Sequence, residues 1–311
     1  MGDTTISWLF RPGTKPRSWN PTQGCEMVSP GCKNCYAMRM AARFARSGWS
    51  QGLIDLKTGK WSRAGRLAAY KLAEPLSWRA PCTVFVNSMS DLFWERFTNE
   101  EIAAVFGVMG ACPQHVFIIA TKRARRMRDW FRWVNPCGRE LLKQIPIPPP
   151  PRRRIQDAAL TALEGIVDGI PALRGECRWP LPNVWLLVSV ENQEMAEARV
   201  PDLQETPAVI RGLSCEPLLS PLNLTLHGSL VPYWDIDWVI TGCESGPGAR
   251  PAETAWFRSL RDQCKEAQTP FFFKQGNVKM DGITALPGDI GAGGVAEPAM
   301  LDGYYHQEFP G

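Results

Sequence analysis

Apolar residues along this chain gather into short unbroken runs separated by helix-length stretches of mixed character. The runs at 83–86, 116–120, 184–188, 208–213, 238–240 and 271–273 have the length and continuity of strands buried on both faces of a parallel sheet. Around them, apolar positions recur at helical spacing over 37–47, 99–109, 124–133, 192–199 and 252–267. Thr98, followed by Asn99, Glu100 and Glu101, gives the second of these helices an N-cap and an acidic first turn. Strand–helix alternation over most of the chain predicts βα units of the α/β class, closed as a barrel or open as a doubly wound sheet.

Each predicted strand runs into polar residues at its carboxyl end. Asn87, Ser88, Ser90 and Asp91 follow the first, and Thr121, Lys122 and Arg123 the second. Ser189, Glu191 and Asn192 follow the third, Cys215 and Glu216 the fourth, Cys243 and Glu244 the fifth, Lys274 and Gln275 the sixth. A single polar terminus, such as Ser90 or Ser189, reads as a helix cap. Six on one rim predict a ligand site, because that edge is where parallel α/β folds bind ligands.

Two segments interrupt the pattern. Residues 146–154 read Pro-Ile-Pro-Pro-Pro-Pro-Arg-Arg-Arg, a stiff basic stretch of polyproline type inside an insertion of about 135–182. From Gly276 the chain is glycine-rich and weakly periodic, which predicts a tail over 276–311 that wraps the domain of 1–275 or stays partly disordered.

Composition changes this picture in two places. The net charge is only +4, yet positive charge is concentrated at Lys122, Arg123, Arg125 and Arg126 and again at Arg152, Arg153 and Arg154. Such runs suit the phosphates of a nucleic acid, and equally a solvated helix face or an arginine-rich linker. No apolar run approaches the ~20 residues of a membrane span, and the first residues lack the basic and apolar regions of a signal peptide. The expected compartment is therefore the cytoplasm, where ten cysteines point to metal ligands and buried thiols rather than disulfides.

Three of those cysteines stand together in Gly24-Cys25-Glu26-Met27-Val28-Ser29-Pro30-Gly31-Cys32-Lys33-Asn34-Cys35-Tyr36. Cys32 and Cys35 have tight chelate spacing, and the Ser-Pro-Gly turn can fold Cys25 back onto the same centre. Three thiolates can hold a cubane iron–sulfur cluster by three irons and leave the fourth open to a non-protein ligand. The alternative is a zinc-stabilised nucleic-acid-binding module, which would need a fourth Cys or His; the next cysteine is Cys82, and His115, His227 and His306 are distant in sequence. A third class is a binding protein that has kept the barrel without catalysis.

The segments 19–36 and 86–93 are similar to a phage-associated family of radical SAM-like proteins. The motifs Thr121-Lys122-Arg123, Ser189-Val190-Glu191-Asn192, Ser214-Cys215-Glu216-Pro217-Leu218, the glycine-rich 242–248 and 270–275 extend that resemblance. It implies a partial (β/α) barrel of the TIM-like type with a [4Fe–4S] cluster on Cys25, Cys32 and Cys35, S-adenosylmethionine on the open iron, and a 5′-deoxyadenosyl radical. Six residues separate Cys25 from Cys32, where the common spacing has three. By position the resemblance offers Tyr36, Asn87, Ser88, Ser90, Asp91, Ser189, Glu191 and Asn192 to S-adenosylmethionine, and Glu216, Glu244 and Lys274 to the substrate, with Cys243 or Cys215 read as a radical-relay thiol or as a small buried thiol. The implied substrate is DNA or a modified nucleotide. The sharpest reading is thymidine hypermodification, with isomerisation of an amino-acid-decorated thymidine, and its rival is a photoproduct repair lyase. Flavodoxin or ferredoxin would donate the electron, in the host cytoplasm if a phage encodes the chain.

Overall fold

The structure is a computed structural model that describes residues 2–46, 48–136, 150–166, 173, 178–226, 229–232, 235–246, 248–276, 281–283 and 299–311. The prolines of 146–149, much of the remaining insertion, Pro247 and most of the glycine-rich tail lie outside the described residues.

Among the described residues, eight strands form the main sheet: β1 (Gly2–Asp3), β2 (Lys15–Trp19), β3 (Cys82–Val86), β4 (Val116–Thr121), β5 (Val184–Ser189), β6 (Ile210–Cys215), β7 (Trp238–Gly242) and β8 (Phe271–Gln275). Their order in the sheet is their order in the chain. β1 lies antiparallel on the edge of β2, and β2 to β8 are all parallel. The parallel strands curl into a half-barrel, a form compatible with a partial (β/α) barrel. All six apolar runs became strands. β2 escaped the pattern because Lys-Pro-Arg-Ser-Trp is neither continuously apolar nor alternating, and Trp19 alone of the five is buried.

Among the described residues the helices of eight residues or more are α1 (Tyr36–Arg43), α2 (Asn99–Gly110), α3 (Ala124–Val134), α4 (Pro151–Ala162), α5 (Gln193–Gln204) and α6 (Thr254–Glu266). α2 opens with a complete capping box, Thr98 accepting from the Glu101 amide while Glu101 accepts from the Thr98 amide. After its acidic first turn it is buried from Ile102 through Met109, packed against α4 and joined in one core with the side chains of β3, β4 and β5.

α4 corrects the reading of the basic proline stretch. Pro151 starts a helix, as proline can at a first helical position, and Arg152, Arg153 and Arg154 form its first turn rather than an extended segment. Ile155 and Ala159 are buried, so this part of the insertion joins the outer helical layer.

Strand alternation sorts the core into two bodies. Val84, Val86, Phe117, Ile119, Leu186, Val188, Leu213, Val239 and Phe273 face the helices. Ile118, Trp185, Leu187, Trp238, Ile240 and Phe272 face the other way, joined by Trp8 from the short 3₁₀ turn Ser7–Leu9 and by Phe309 from the tail. Trp238 is the hub of this second body, with ring centroids 5.9 Å from Trp185, 6.3 Å from Trp8 and 5.6 Å from Phe309. The described part of the tail therefore wraps the sheet, and the Phe273 amide donates to the His306 carbonyl at 2.8 Å. No helix among the described residues is long and apolar enough to cross a membrane.

Candidate cofactor site at the carboxyl rim of the sheet

The cysteine loop lies across the carboxyl ends of the parallel strands and is fastened to four of them. At β3, the Asn20 carboxamide accepts from the Met89 amide at 2.8 Å and pairs with Ser88, while Thr22 accepts from the Asn87 side chain at 2.6 Å. Ser90 donates to the Thr22 carbonyl at 2.8 Å. At β4, Arg123 donates to the Glu26 carbonyl at 3.0 Å. At β5, Ser29 donates to Glu191 at 2.6 Å, and at β7, Asn34 donates to Glu244 at 2.7 Å.

Two glycines of the cysteine motif are required by their close neighbours. Gly24 has φ +98°, and a Cβ there would lie 2.2 Å from the Ala64 carbonyl oxygen. At Gly31 a Cβ would lie 2.4 Å from the Glu191 carboxylate, so the loop backbone sits directly on that side chain.

Glu191 is wholly buried and takes its charge compensation from three sides. Arg199 reaches it at 2.8 Å, Lys122 at 3.6 Å, and the Ser29 hydroxyl completes the set. Glu244 is similarly enclosed: Arg250 grips both its oxygens and the Arg250 amide donates at 3.0 Å. Burial would raise the Glu244 carboxyl, but the hydrogen bonds from Arg250 and Asn34 outweigh it and hold the group at about 2. Asp91 accepts from Phe93 N, Thr121 Oγ1, Lys122 N and Arg123 Nη1, which ties the ends of β3 and β4 together.

The thiols themselves are less constrained. Cys32 is buried at the end of the 3₁₀ turn Pro30–Cys32, and Cys35 is the residue from which α1 starts. Cys25 and Cys35 are half-buried against the cluster of Met38 and Ala41. Burial pushes the Cys25 thiol up to about 12, with Asp91 adding to the effect and Arg123 opposing it; Cys35 and Cys32 also lie within its electrostatic reach. Among the described residues no three Cys, His, Asp or Glu side chains stand close enough together to close a metal site. The donor chemistry suits a cluster: three thiols stand on one anchored loop, within electrostatic reach of one another, and thiolate is the donor such a cluster takes. Cys25, Cys32 and Cys35 would hold it.

A family model described as "Protein of unknown function (DUF5131)" matches residues 3–310. The chain belongs to the DUF5131 family. No curated protein gave a significant match, and neither did any solved structure.

In this DUF5131 protein the remaining rim residues divide by availability. Asn192 caps α5, accepting from the Met195 amide at 3.0 Å. Ser189 is buried, and its carbonyl accepts from Arg199. Cys243 is buried and Cys215 more so, burial raising the Cys215 thiol far above its ordinary range. Asn87 holds φ 62° and keeps a buried side-chain carboxamide oxygen with no hydrogen-bond partner. Lys274 and Glu216 pair at 2.9 Å and are both partly exposed, and Tyr36 is 57% exposed at the start of α1.

The basic runs are divided in the same way. Arg123 is buried and turned inward, Lys122 faces Glu191, Arg126 donates to the Phe97 carbonyl, and Arg154 lies over Trp133 at 5.0 Å. Arg125, Arg152 and Arg153 are exposed, the last 3.6 Å from Asp157. A groove of about 520 Å³ in the outer layer is lined by Glu100, Trp133, Arg154 and Ala158 and includes none of the cysteines. Sequence reasoning did not single out Asn20, Ser29 or Asn34, although all three lie within the matched segment. Arg199 and Arg250 gave no signal, because their partners are set by the fold.

Proposed function

We propose that this chain is a radical SAM enzyme, with a [4Fe–4S] cluster on Cys25, Cys32 and Cys35 and a DNA thymidine, or a nucleotide carrying one, as its substrate. The observation that carries the reading is the fastening of a three-thiol loop across four strand ends of a parallel half-barrel, the edge where such folds place chemistry. When bound, the cluster and S-adenosylmethionine would supply a 5′-deoxyadenosyl radical for hydrogen abstraction.

The chain's own residues would then do three things. Glu191, Glu244 and Asp91 spend their charge on fixing the loop and its neighbours, and so position the thiols rather than touch ligand. Asn87, whose side-chain oxygen is buried and unpartnered, ties Thr22 beside the cysteine loop to the end of β3. Lys274 and Glu216 offer a partly exposed pair of opposite charges to polar groups of the substrate. The exposed Arg125, Arg152 and Arg153 agree with a polyanionic partner. Isomerisation of an amino-acid-decorated thymidine is the specific reaction we favour.

Anaerobic reconstitution with iron and sulfide, followed by low-temperature EPR, tests the reading. A [4Fe–4S]⁺ signal that changes on adding S-adenosylmethionine and is lost in Cys32→Ala is expected. Uptake of zinc without iron would replace the radical mechanism with a metal-stapled binding module. With the cluster in hand, amino-acid-decorated and ultraviolet-damaged thymidine DNA separate isomerase from repair lyase, and flavodoxin against ferredoxin identifies the electron donor.

A further inference from the structure

Arg123 reads in the sequence as a phosphate contact, yet its guanidinium is enclosed by protein. Nε donates to Glu95 at 2.8 Å, Nη2 donates to the Glu26 carbonyl at 3.0 Å, and Nη1 donates to Asp91 at 3.2 Å while lying 3.9 Å from Cys25 Sγ. All three nitrogens are thus engaged, two of them at the backbone and thiol of the cysteine loop. The residue is 5% exposed, so water does little to screen its charge.

The charged and titratable groups facing it are Asp91, Glu95 and Cys25 itself. Asp91 shares its charge among the Phe93 amide, the Thr121 hydroxyl and the Lys122 amide. The Glu95 side chain is 61% exposed and is largely screened by solvent. Arg123 is therefore the buried positive charge that stands nearest Cys25 Sγ.

We propose that Arg123 is a positioning residue that raises the reduction potential of the cluster held through Cys25. The inference rests on the cluster reading above. Reduction adds negative charge to an iron–sulfur cluster, and its potential depends on nearby charge and on hydrogen bonds to sulfur. A fixed guanidinium beside a ligand sulfur favours the more negative, reduced state by both routes. Its removal should make the one-electron reduction that starts radical chemistry harder.

The test is an EPR-monitored redox titration of the full chain, reconstituted anaerobically, for wild type, Arg123→Gln, Arg123→Lys and Lys265→Gln. Lys265 is an exposed cation on α6, and its loss controls for a change in net charge. At equal iron and sulfide content, Arg123→Gln is expected to have a more negative midpoint than wild type. Arg123→Lys should fall between them and Lys265→Gln should coincide with wild type. An Arg123→Gln midpoint equal to that of wild type overturns the inference. Should Arg123→Gln fold without taking up iron, Arg123→Lys decides, and an unchanged midpoint there overturns it. A wild-type protein that takes up no cluster overturns the underlying reading instead, an outcome distinct from both.

Discussion

At the scale of single residues, the rim is a set of carboxylates whose charge is already committed. Glu244 sits at about 2 in the folded chain against an ordinary 4.5. Because the folded value is the lower one, its contribution is full above pH 4.5 and is lost as pH falls toward 2. Chemical denaturation at pH 6 and pH 3 should show wild type losing on the order of 2 kcal/mol through this group, and Glu244→Gln, already weaker at pH 6, losing less over the same interval. Glu191→Ala leaves Arg199 buried without its carboxylate and is expected to cost about 3–5 kcal/mol, read as a fall in the denaturation midpoint. These assignments explain what the sequence could and could not convey. Cys25, Cys32 and Cys35 stood out because their signal is local spacing, and the structure places all three on the loop that is fastened to the rim. Glu191 and Glu244 were legible as rim groups, but whether a carboxylate meets ligand or protein depends on partners such as Arg199, Arg250 and Asn34, whose positions only the fold determines.

At the scale of elements, the cysteine loop and β5 are held in contact by the absence of a side chain. Gly31→Ala would place a Cβ inside the van der Waals envelope of Glu191, with Cγ at 2.5 Å as well as the carboxylate oxygen. The loop must lift, and iron content after reconstitution should fall in this variant while the far-ultraviolet circular dichroism of the sheet and helices persists. α2 offers a contrasting case: Thr98→Ala removes half of a capping box whose bonds run only within its own helix. It should cost about 1 kcal/mol in denaturation and leave iron content unchanged. Element prediction succeeded where apolar continuity dictates burial and failed at β2 and α4. β2 pairs through its backbone with β1 and β3, and its Lys, Pro, Arg and Ser carry no strand signal. At α4 a run of prolines masked the helix that the last of them begins.

At the scale of the whole molecule, two bodies of core share one curled sheet, and Trp238 joins much of the inner one. Its indole donates to the Glu308 carbonyl at 2.8 Å while its ring meets Trp8, Trp185, Phe272 and Phe309. Trp238→Ala should cost about 3–5 kcal/mol, measured by denaturant unfolding, through the cavity left among those rings. The sequential strand order also bears on how the protein is made. Each parallel strand finds its neighbour as soon as the next strand leaves the ribosome, so the sheet can grow during translation. The cysteine loop has no such freedom. Asn34 waits for Glu244, 210 residues later in synthesis, and Ser29 waits for Glu191. Its thiols emerge early and find their full set of anchors late, so a nascent chain stalled before β7 should leave Cys25, Cys32 and Cys35 open to alkylation, and on the cluster proposal iron and sulfide would be delivered after synthesis is nearly finished.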